Sequence, residues 1–321
     1  MSTVRWGIVG TGGIAGAFAR EFPHIENGEV VAVASRTAER AEAFAGEHGI
    51  AHAHGSYQAL YHDPEVDAVY VATPHSLHAE NAADALRAGK AVLCEKPLTA
   101  TPDEARALVD VARETGGYLL EGMWTHFLPA VRTALGWVAE GRIGTVLHVK
   151  ADFGYRHPYD PAHPESRMYN PDLAGGALLD MGVYPVSLAW LFLQRHPTAI
   201  SAVAHRAPTG VDDDVTMRFD YPDAVATLAT SFRGRLPNAA WVIGDEGTVE
   251  IPDFFRARAC SLWHGDERVD HFDDGRESLG FEFEVRAAGE DILAGRQQSA
   301  VVPWASSLAV QDHLARVSDA I

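Results

Sequence analysis

Val4-Arg5-Trp6-Gly7-Ile8-Val9-Gly10-Thr11-Gly12-Gly13-Ile14-Ala15-Gly16 is the stretch that decides the fold. An apolar run, Val4 to Val9, enters a glycine-rich turn and leaves it as a helix over Ile14 to Phe22. Gly10, Gly12 and Ala15 meet a G-x-G-x-x-A spacing, and Gly16 adds a position for close packing. Glycine is needed because the backbone must turn sharply and then approach a pyrophosphate without interference from a Cβ. The helix N-terminus that follows offers unpaired N–H groups and a favourable dipole. A second apolar run, Val30 to Ala34, follows at the spacing of a βαβ unit. These features predict a dinucleotide site with Gly10, Thr11, Gly12, Gly13 and Ile14 at the phosphates.

The alternation continues outward from this unit. Asp67–Thr73, Ala91–Glu95 and Tyr118–Glu121 read as strands. Thr37–Glu47, Ser76–Ala88 and Pro102–Thr115 read as helices. Continuous apolar strands separated by helices imply a parallel sheet covered on both faces. After about Trp124 the pattern changes. Thr145–Phe153, Ala199–Arg206, Val215–Tyr221, Val225–Phe232, Ala240–Ile243, Thr248–Ile251 and Ala259–His264 are strand-like, and many are separated by Gly or Asp/Pro turns. Helices are predicted over Phe127–Glu140, Tyr184–Leu193, Phe281–Ala294 and Ser306–Ile321. The expected class is α/β. It comprises an N-terminal Rossmann domain with a doubly wound parallel sheet (1–124) and a C-terminal α+β domain with a large, open, mainly antiparallel sheet (125–321).

Composition narrows the function. In 321 residues the net charge is −18, which disfavours nucleic acid and anionic membrane surfaces as partners. The most apolar stretch, Ala177 to Leu193, is interrupted by Asp180, so no membrane span is expected. Cys94 and Cys260 make no disulfide framework, and no signal peptide is read at the start. A soluble cytoplasmic protein is the expectation. His52-x-His54 and the pair His75 and His78 come with no HExxH or CxxC motif, so no metal is expected.

Two further sites carry chemistry. The second strand ends in Ala34-Ser35-Arg36-Thr37, with Arg40 one helical turn on. An Asp or Glu there would accept from a ribose 2′-OH, whereas Ser35, Arg36 and Arg40 suit a 2′-phosphate. NADP is therefore expected over NAD, with NAD a possible second cofactor. Cys94-Glu95-Lys96-Pro97 ends another strand of the sheet, at the edge where such folds bind ligands. Only three lysines occur in the chain, and Lys96 is the one placed at that edge.

Glu95-Lys96-Pro97 after this glycine-rich start resembles the Gfo/Idh/MocA oxidoreductase family, and the resemblance runs along most of the chain. Ala72-Thr73-Pro74-His75-Ser76-Leu77-His78 is similar to the segment that lines the cofactor, Gly122-Met123-Trp124 to the segment leaving the nucleotide domain, and Gly244-Asp245-Glu246-Gly247-Thr248 to the turn in the large sheet. The most specific match is Gly175-Gly176-Ala177-Leu178-Leu179-Asp180-Met181-Gly182-Val183-Tyr184-Pro185. It resembles the branch of dimeric dihydrodiol dehydrogenases and NADP-linked xylose dehydrogenases. Many members carry His where this chain has Tyr184, and that branch often has Arg where this chain has His126. By this resemblance Thr73, Pro74, Leu77, His78, Glu95, Lys96, Met123 and Trp124 join the cofactor set.

The resemblance implies hydride transfer between nicotinamide C4 and a carbinol or carbonyl carbon of a sugar or trans-dihydrodiol. Tyr184 is the candidate for the accompanying proton. A free phenol titrates at about 10, and a neighbouring ammonium, Lys96, would stabilise the phenolate. Asp180, four residues before Tyr184, would share one face of a helical turn and hold Lys96 or the substrate. Trp124, His126, Phe153, Arg167 and Phe281 are the substrate candidates. The alternatives are an anhydrofructose-type keto-sugar reductase and a non-catalytic NAD(P)-binding sensor. The combination of Lys96, Asp180 and Tyr184 speaks against the sensor. A homodimer or larger homo-oligomer is expected.

Overall fold

The computed structural model describes residues 3–321 and divides into two compact units. The first comprises the residues up to Trp124 together with Ser278–Leu308. Strands β1 (Val4–Val9), β2 (Gly28–Ala34), β3 (His52–His54), β4 (Ala68–Val71), β5 (Ala91–Glu95) and β6 (Leu119–Gly122) make one sheet. Its order is β3-β2-β1-β4-β5-β6 and every pairing is parallel. Helices α1 (Gly13–Glu21), α2 (Ala38–His48), α3 (Tyr57–Tyr61), α4 (His78–Arg87) and α5 (Pro102–Thr115) connect the strands. The strand order reverses between β1 and β4. That reversal marks the switch point where ligands bind beyond the carboxyl ends of the strands.

Local signals explain the boundaries. Thr101 and Glu104 form a reciprocal capping box, Pro102 occupies the first helical turn, and Gly116 ends α5 in the left-handed region. Thr37 caps α2 and Gly49 closes it at φ 68°. The sheet is apolar on both faces: Val69, Val71, Val92 and Leu119 are buried on one, and Ile8, Tyr70, Leu93 and Leu120 on the other. Phe18 of α1 stacks on Tyr70 of β4. Strand β3 and helix α3 are not predicted by the sequence. A polar His-Ala-His run and a five-residue helix are too short to give a periodic signal.

Ser278–Leu308, expected with the C-terminal domain, belongs instead to the nucleotide unit. The cause is specific hydrogen bonding. Leu119 N donates to Gln297 O, Trp304 Nε1 donates to Leu119 O, and Asn27 Nδ2 donates to Arg286 O. This segment also brings in Glu284, which is 0% exposed and has no hydrogen bond at either carboxylate oxygen among the described residues. Burial, with Glu95 nearby, raises its pKa well above the ordinary value. The native state therefore keeps its proton while the unfolded chain loses it above about pH 4.3. Stability must then fall as pH rises, by at most about 1.4 kcal/mol per pH unit from this group, until the folded pKa is passed. Glu284→Gln is expected to melt higher than wild type, by a margin that grows as pH rises above the acid's ordinary value. A margin that does not change with pH would contradict a buried neutral acid.

The second unit, Thr125–Glu277 with Ala309–Ile321, is built on an eight-stranded sheet. Its strands are β7 (Val146–Gly154), β8 (Ala199–Arg206), β9 (Asp212–Asp220), β10 (Val225–Ser231), β11 (Ala240–Gly244), β12 (Thr248–Ile251), β13 (Ala259–His264) and β14 (Glu267–Asp273). The order is β14-β13-β12-β11-β7-β10-β9-β8, antiparallel throughout except for the parallel β7–β10 pair. Helices α6 (Pro129–Ala139) and α7 (Val183–Leu193) cover one face, over Val149, Ala151, Met217 and Leu228. Lys150, Arg218, Trp241 and Val203 lie on the other face and are exposed or half-buried. This one-sided burial accounts for the alternation in the sequence. The stretch Pro171–Leu193 is apolar and long enough for a membrane span, but 83% of its most apolar window is packed inside the protein.

Candidate active site

The glycine turn has the geometry of a phosphate cradle. Gly10 leaves β1 at φ +110°, and a Cβ there would sit 2.6 Å from Ala72 O at the end of β4. Only glycine tolerates both the dihedral and the approach. Gly12 and Gly13 face open space, with no described atom within 4 Å of an added Cβ. The first turn of α1 has no acidic residue, and Gly12, its N-cap, provides no side-chain acceptor. Its N–H groups are therefore available to an anion, and a dinucleotide pyrophosphate fits this cradle. Ile14, 39% exposed, sits at the cradle's lip.

At the end of β2, Ser35 is buried, its N donates to His54 O at 3.1 Å, and its Oγ lies 3.4 Å from Thr11 Oγ1. Arg36 and Arg40 are exposed beside it. Both act electrostatically on the Tyr57 phenol, whose pKa burial raises and the two guanidinium groups lower. Tyr57 thus adds an aromatic face to this cationic corner. The sequence gives no signal for it, because it lies on the short helix α3.

The ends of β4 and β5 are tied together by His78. Its Nδ1 lies 2.8 Å from Pro97 O and its Nε2 2.9 Å from Thr73 O. Two carbonyl partners call for two N–H donors, whereas complete burial pulls the ring's pKa down. His78 has no exposed surface, so it positions the Thr73 and Pro97 loops from behind. Pro74 and Leu77 are half-buried beside it. Lys96 is half-buried at the end of β5, and its peptide bond to Pro97 is cis. Glu95 is buried, accepts from the Tyr70 hydroxyl and from Lys96 N at 3.2 Å, and has its pKa raised by burial, against the lowering influence of Lys96. Glu121 is likewise raised by burial while accepting from Leu98 N at 2.9 Å. After β6, Met123 and Trp124 are buried, and Trp124 stacks on Phe281 with ring centroids 4.6 Å apart.

In the second unit, a π-helical turn over Leu178–Gly182 precedes α7, and π turns recur at functional sites. Gly176 enters it at φ +120°, where a Cβ would fall 2.6 Å from Asp212 Oδ1. The other Asp212 oxygen accepts from Leu178 N at 2.6 Å. Asp180 lies in the π turn and pairs with Arg167 at 3.2 Å. The sequence points to both residues without linking them. Tyr184 is 6% exposed and meets Phe153 edge-to-face at 5.1 Å. Phe153 in turn stacks on Phe255 at 4.2 Å, an aromatic partner that the sequence does not signal. His126 is 2% exposed, lies 2.8 Å from Ser187 Oγ, and is held neutral by burial and by Arg132, with a pKa pulled down to about 4. Its ring is thus tied to Ser187 of α7.

Known proteins share this architecture. An oxidoreductase-family model with an NAD-binding Rossmann fold matches residues 4–123, and a GFO/IDH/MocA C-terminal domain model matches residues 131–250. Trans-1,2-dihydrobenzene-1,2-diol dehydrogenase of Bos taurus is 35% identical, over 99% of this chain and 97% of its own length. The Mus musculus protein of that name is 36% identical with the same coverage. Among solved structures, an aldose-aldose oxidoreductase from Caulobacter crescentus superposes with a TM-score of 0.89 at 26% identity, covering 99% of this chain and 97% of its own. A 3-ketoreductase from Actinomadura kijaniata, solved with NADP and TDP-benzene, has a TM-score of 0.86 at 29% identity, covering 99% of this chain and 98% of its own.

Proposed function

Given that this chain belongs to the Gfo/Idh/MocA oxidoreductase family, we propose that it oxidises a cyclic trans-dihydrodiol or an aldose with NADP. The observation that carries the reading is the near end-to-end match, 99% of this chain against 97% of the relative, to enzymes named as dihydrodiol dehydrogenases. The glycine cradle takes the pyrophosphate, and Ser35, Arg36, Arg40 and Tyr57 take the 2′-phosphate. The bound nicotinamide supplies the hydride acceptor. Tyr184, as phenolate, takes the hydroxyl proton when the carbinol carbon gives up its hydride. Lys96 favours the phenolate by its charge. Asp180, paired with Arg167, holds a substrate hydroxyl, and Trp124, Phe153 and Phe281 offer apolar faces to the ring.

A keto-sugar reductase is the second reading. It is favoured by the likeness to the 3-ketoreductase, whose solved forms include replacements of a lysine by alanine or glutamate and of a tyrosine by phenylalanine. The test is reduced-nicotinamide absorbance over trans-1,2-dihydrobenzene-1,2-diol, D-xylose and D-glucose, with NADP and NAD in parallel. Turnover of the diol or of a sugar with NADP is the expected result. NADP binding without turnover of any of the three, and with no reduction of keto-sugars by NADPH, would instead assign a sensor. We also place the protein in the cytoplasm as a homodimer pairing through the open sheet face around Lys150, Trp241 and Val203. Light scattering on the purified protein tests the dimer.

A further inference from the structure

His52 and His54 lie two residues apart on β3, so their side chains leave the same side of this edge strand. Both rings converge on one atom. His52 Nδ1 is 2.8 Å and His54 Nε2 is 2.9 Å from Asp63 Oδ2. The donor atoms of all three residues lie within 4.8 Å of one another. We propose that His52, His54 and Asp63 form a binding site for a divalent transition metal of the Zn2+ class, with a structural rather than catalytic role.

The chemistry of the donors selects that class. Two imidazoles and a carboxylate suit Zn2+ and its neighbours, whereas Mg2+ and Ca2+ prefer oxygen ligands alone. The geometry needs only a small adjustment. Tetrahedral ligands at about 2.0–2.1 Å from zinc stand about 3.3 Å from one another. The two imidazoles must therefore retreat from Oδ2 by about half an ångström, and their two nitrogens, within 4.8 Å of each other, must settle at the same spacing, both by side-chain rotation. On binding, the metal takes the two ring nitrogens that now face Oδ2, and each neutral imidazole carries its single proton on its other nitrogen, so that no net proton need leave.

The carboxylate is already oriented. Asp63 Oδ1 accepts from Glu65 N at 2.8 Å, and Lys90 Nζ donates to Asp63 O at 2.8 Å and to Val66 O at 2.7 Å. These bonds hold the loop in place independently of the histidines, as supporting partners do at metal sites. An entry path also exists. The Asp63 side chain is 6% exposed, while His52 is 41% and His54 23% exposed, which leaves room for a water as fourth ligand.

The test uses metal-stripped, full-length protein titrated with Zn2+ against a chromogenic chelator of micromolar affinity, with Co2+ as the spectroscopic probe. Wild type is expected to take up one equivalent of Zn2+ in competition with the chelator and to give the intense visible Co2+ band of a tetrahedral site. The double variant His52→Ala/His54→Ala should lose both signals. Asp63→Asn keeps the acceptor for Glu65 N and should weaken Zn2+ at least about tenfold while its melting temperature stays near wild type. The proposal is overturned if wild type fails to compete with the chelator. It is equally overturned if the double variant retains the stoichiometric equivalent, because other histidines of the chain would then be the ligands.

Discussion

Tyr184→Phe and Lys96→Met are each expected to lower kcat by about two to four decades, the usual scale for a group that moves a proton in the rate-limiting transition state. The cause is electrostatic. A phenol that titrates at about 10 is a poor base at neutral pH, and an ammonium nearby shifts the balance toward phenolate. Removing the hydroxyl abolishes the base. Removing the ammonium takes away the charge proposed to favour the phenolate. The two variants therefore differ in their pH dependence. Lys96→Met should recover part of its oxidation rate as pH climbs toward 10, whereas Tyr184→Phe should stay flat. NADPH binding by Tyr184→Phe, followed through tryptophan fluorescence, should remain at the wild-type level, which separates lost chemistry from lost cofactor. A kcat near wild type in either variant removes that residue from the mechanism.

Arg36→Ala is expected to raise KM for NADP about 10- to 100-fold while leaving KM for NAD almost unchanged. A charge-assisted hydrogen bond is worth about 1.5–3 kcal/mol, and each 1.4 kcal/mol is a factor of ten in affinity. Arg36 is exposed, so its removal opens no cavity and should not disturb the fold. NAD lacks the 2′-phosphate and serves as the internal control. Equal losses with both cofactors would mean that Arg36 contributes to binding in general and not to the choice between them. Tyr57→Phe is a useful companion, since it keeps the ring beside Arg36 and Arg40 and removes only the hydroxyl.

The glycine cradle is legible in the sequence because strand, turn and helix are contiguous, and each glycine answers a local backbone demand. Helix α5 can be placed to the residue because Thr101, Pro102 and Gly116 mark its ends chemically. Tyr57 and Phe255 are not legible in this way. Each is an ordinary aromatic in its own segment and gains meaning only from partners at Arg36 and Phe153. The burial of His126 is not legible either. Its neighbour Ser187 is 61 residues away, and nothing local signals that its ring is buried.

By itself, then, the order of residues determined the parallel and mainly antiparallel character of the two sheets and the nucleotide cradle. Capping, hydrophobic period and glycine dihedrals act over a few residues, so a linear reading captures them. The tertiary structure alone decided that Ser278–Leu308 belongs to the nucleotide unit, that Glu284 is sealed without a hydrogen-bond partner among the described residues, that Arg167 answers Asp180, and that His52 and His54 close on Asp63. Each of these depends on which distant surfaces pack together. Burial and charge pairing are properties of that packing, and the chain's local preferences do not contain them.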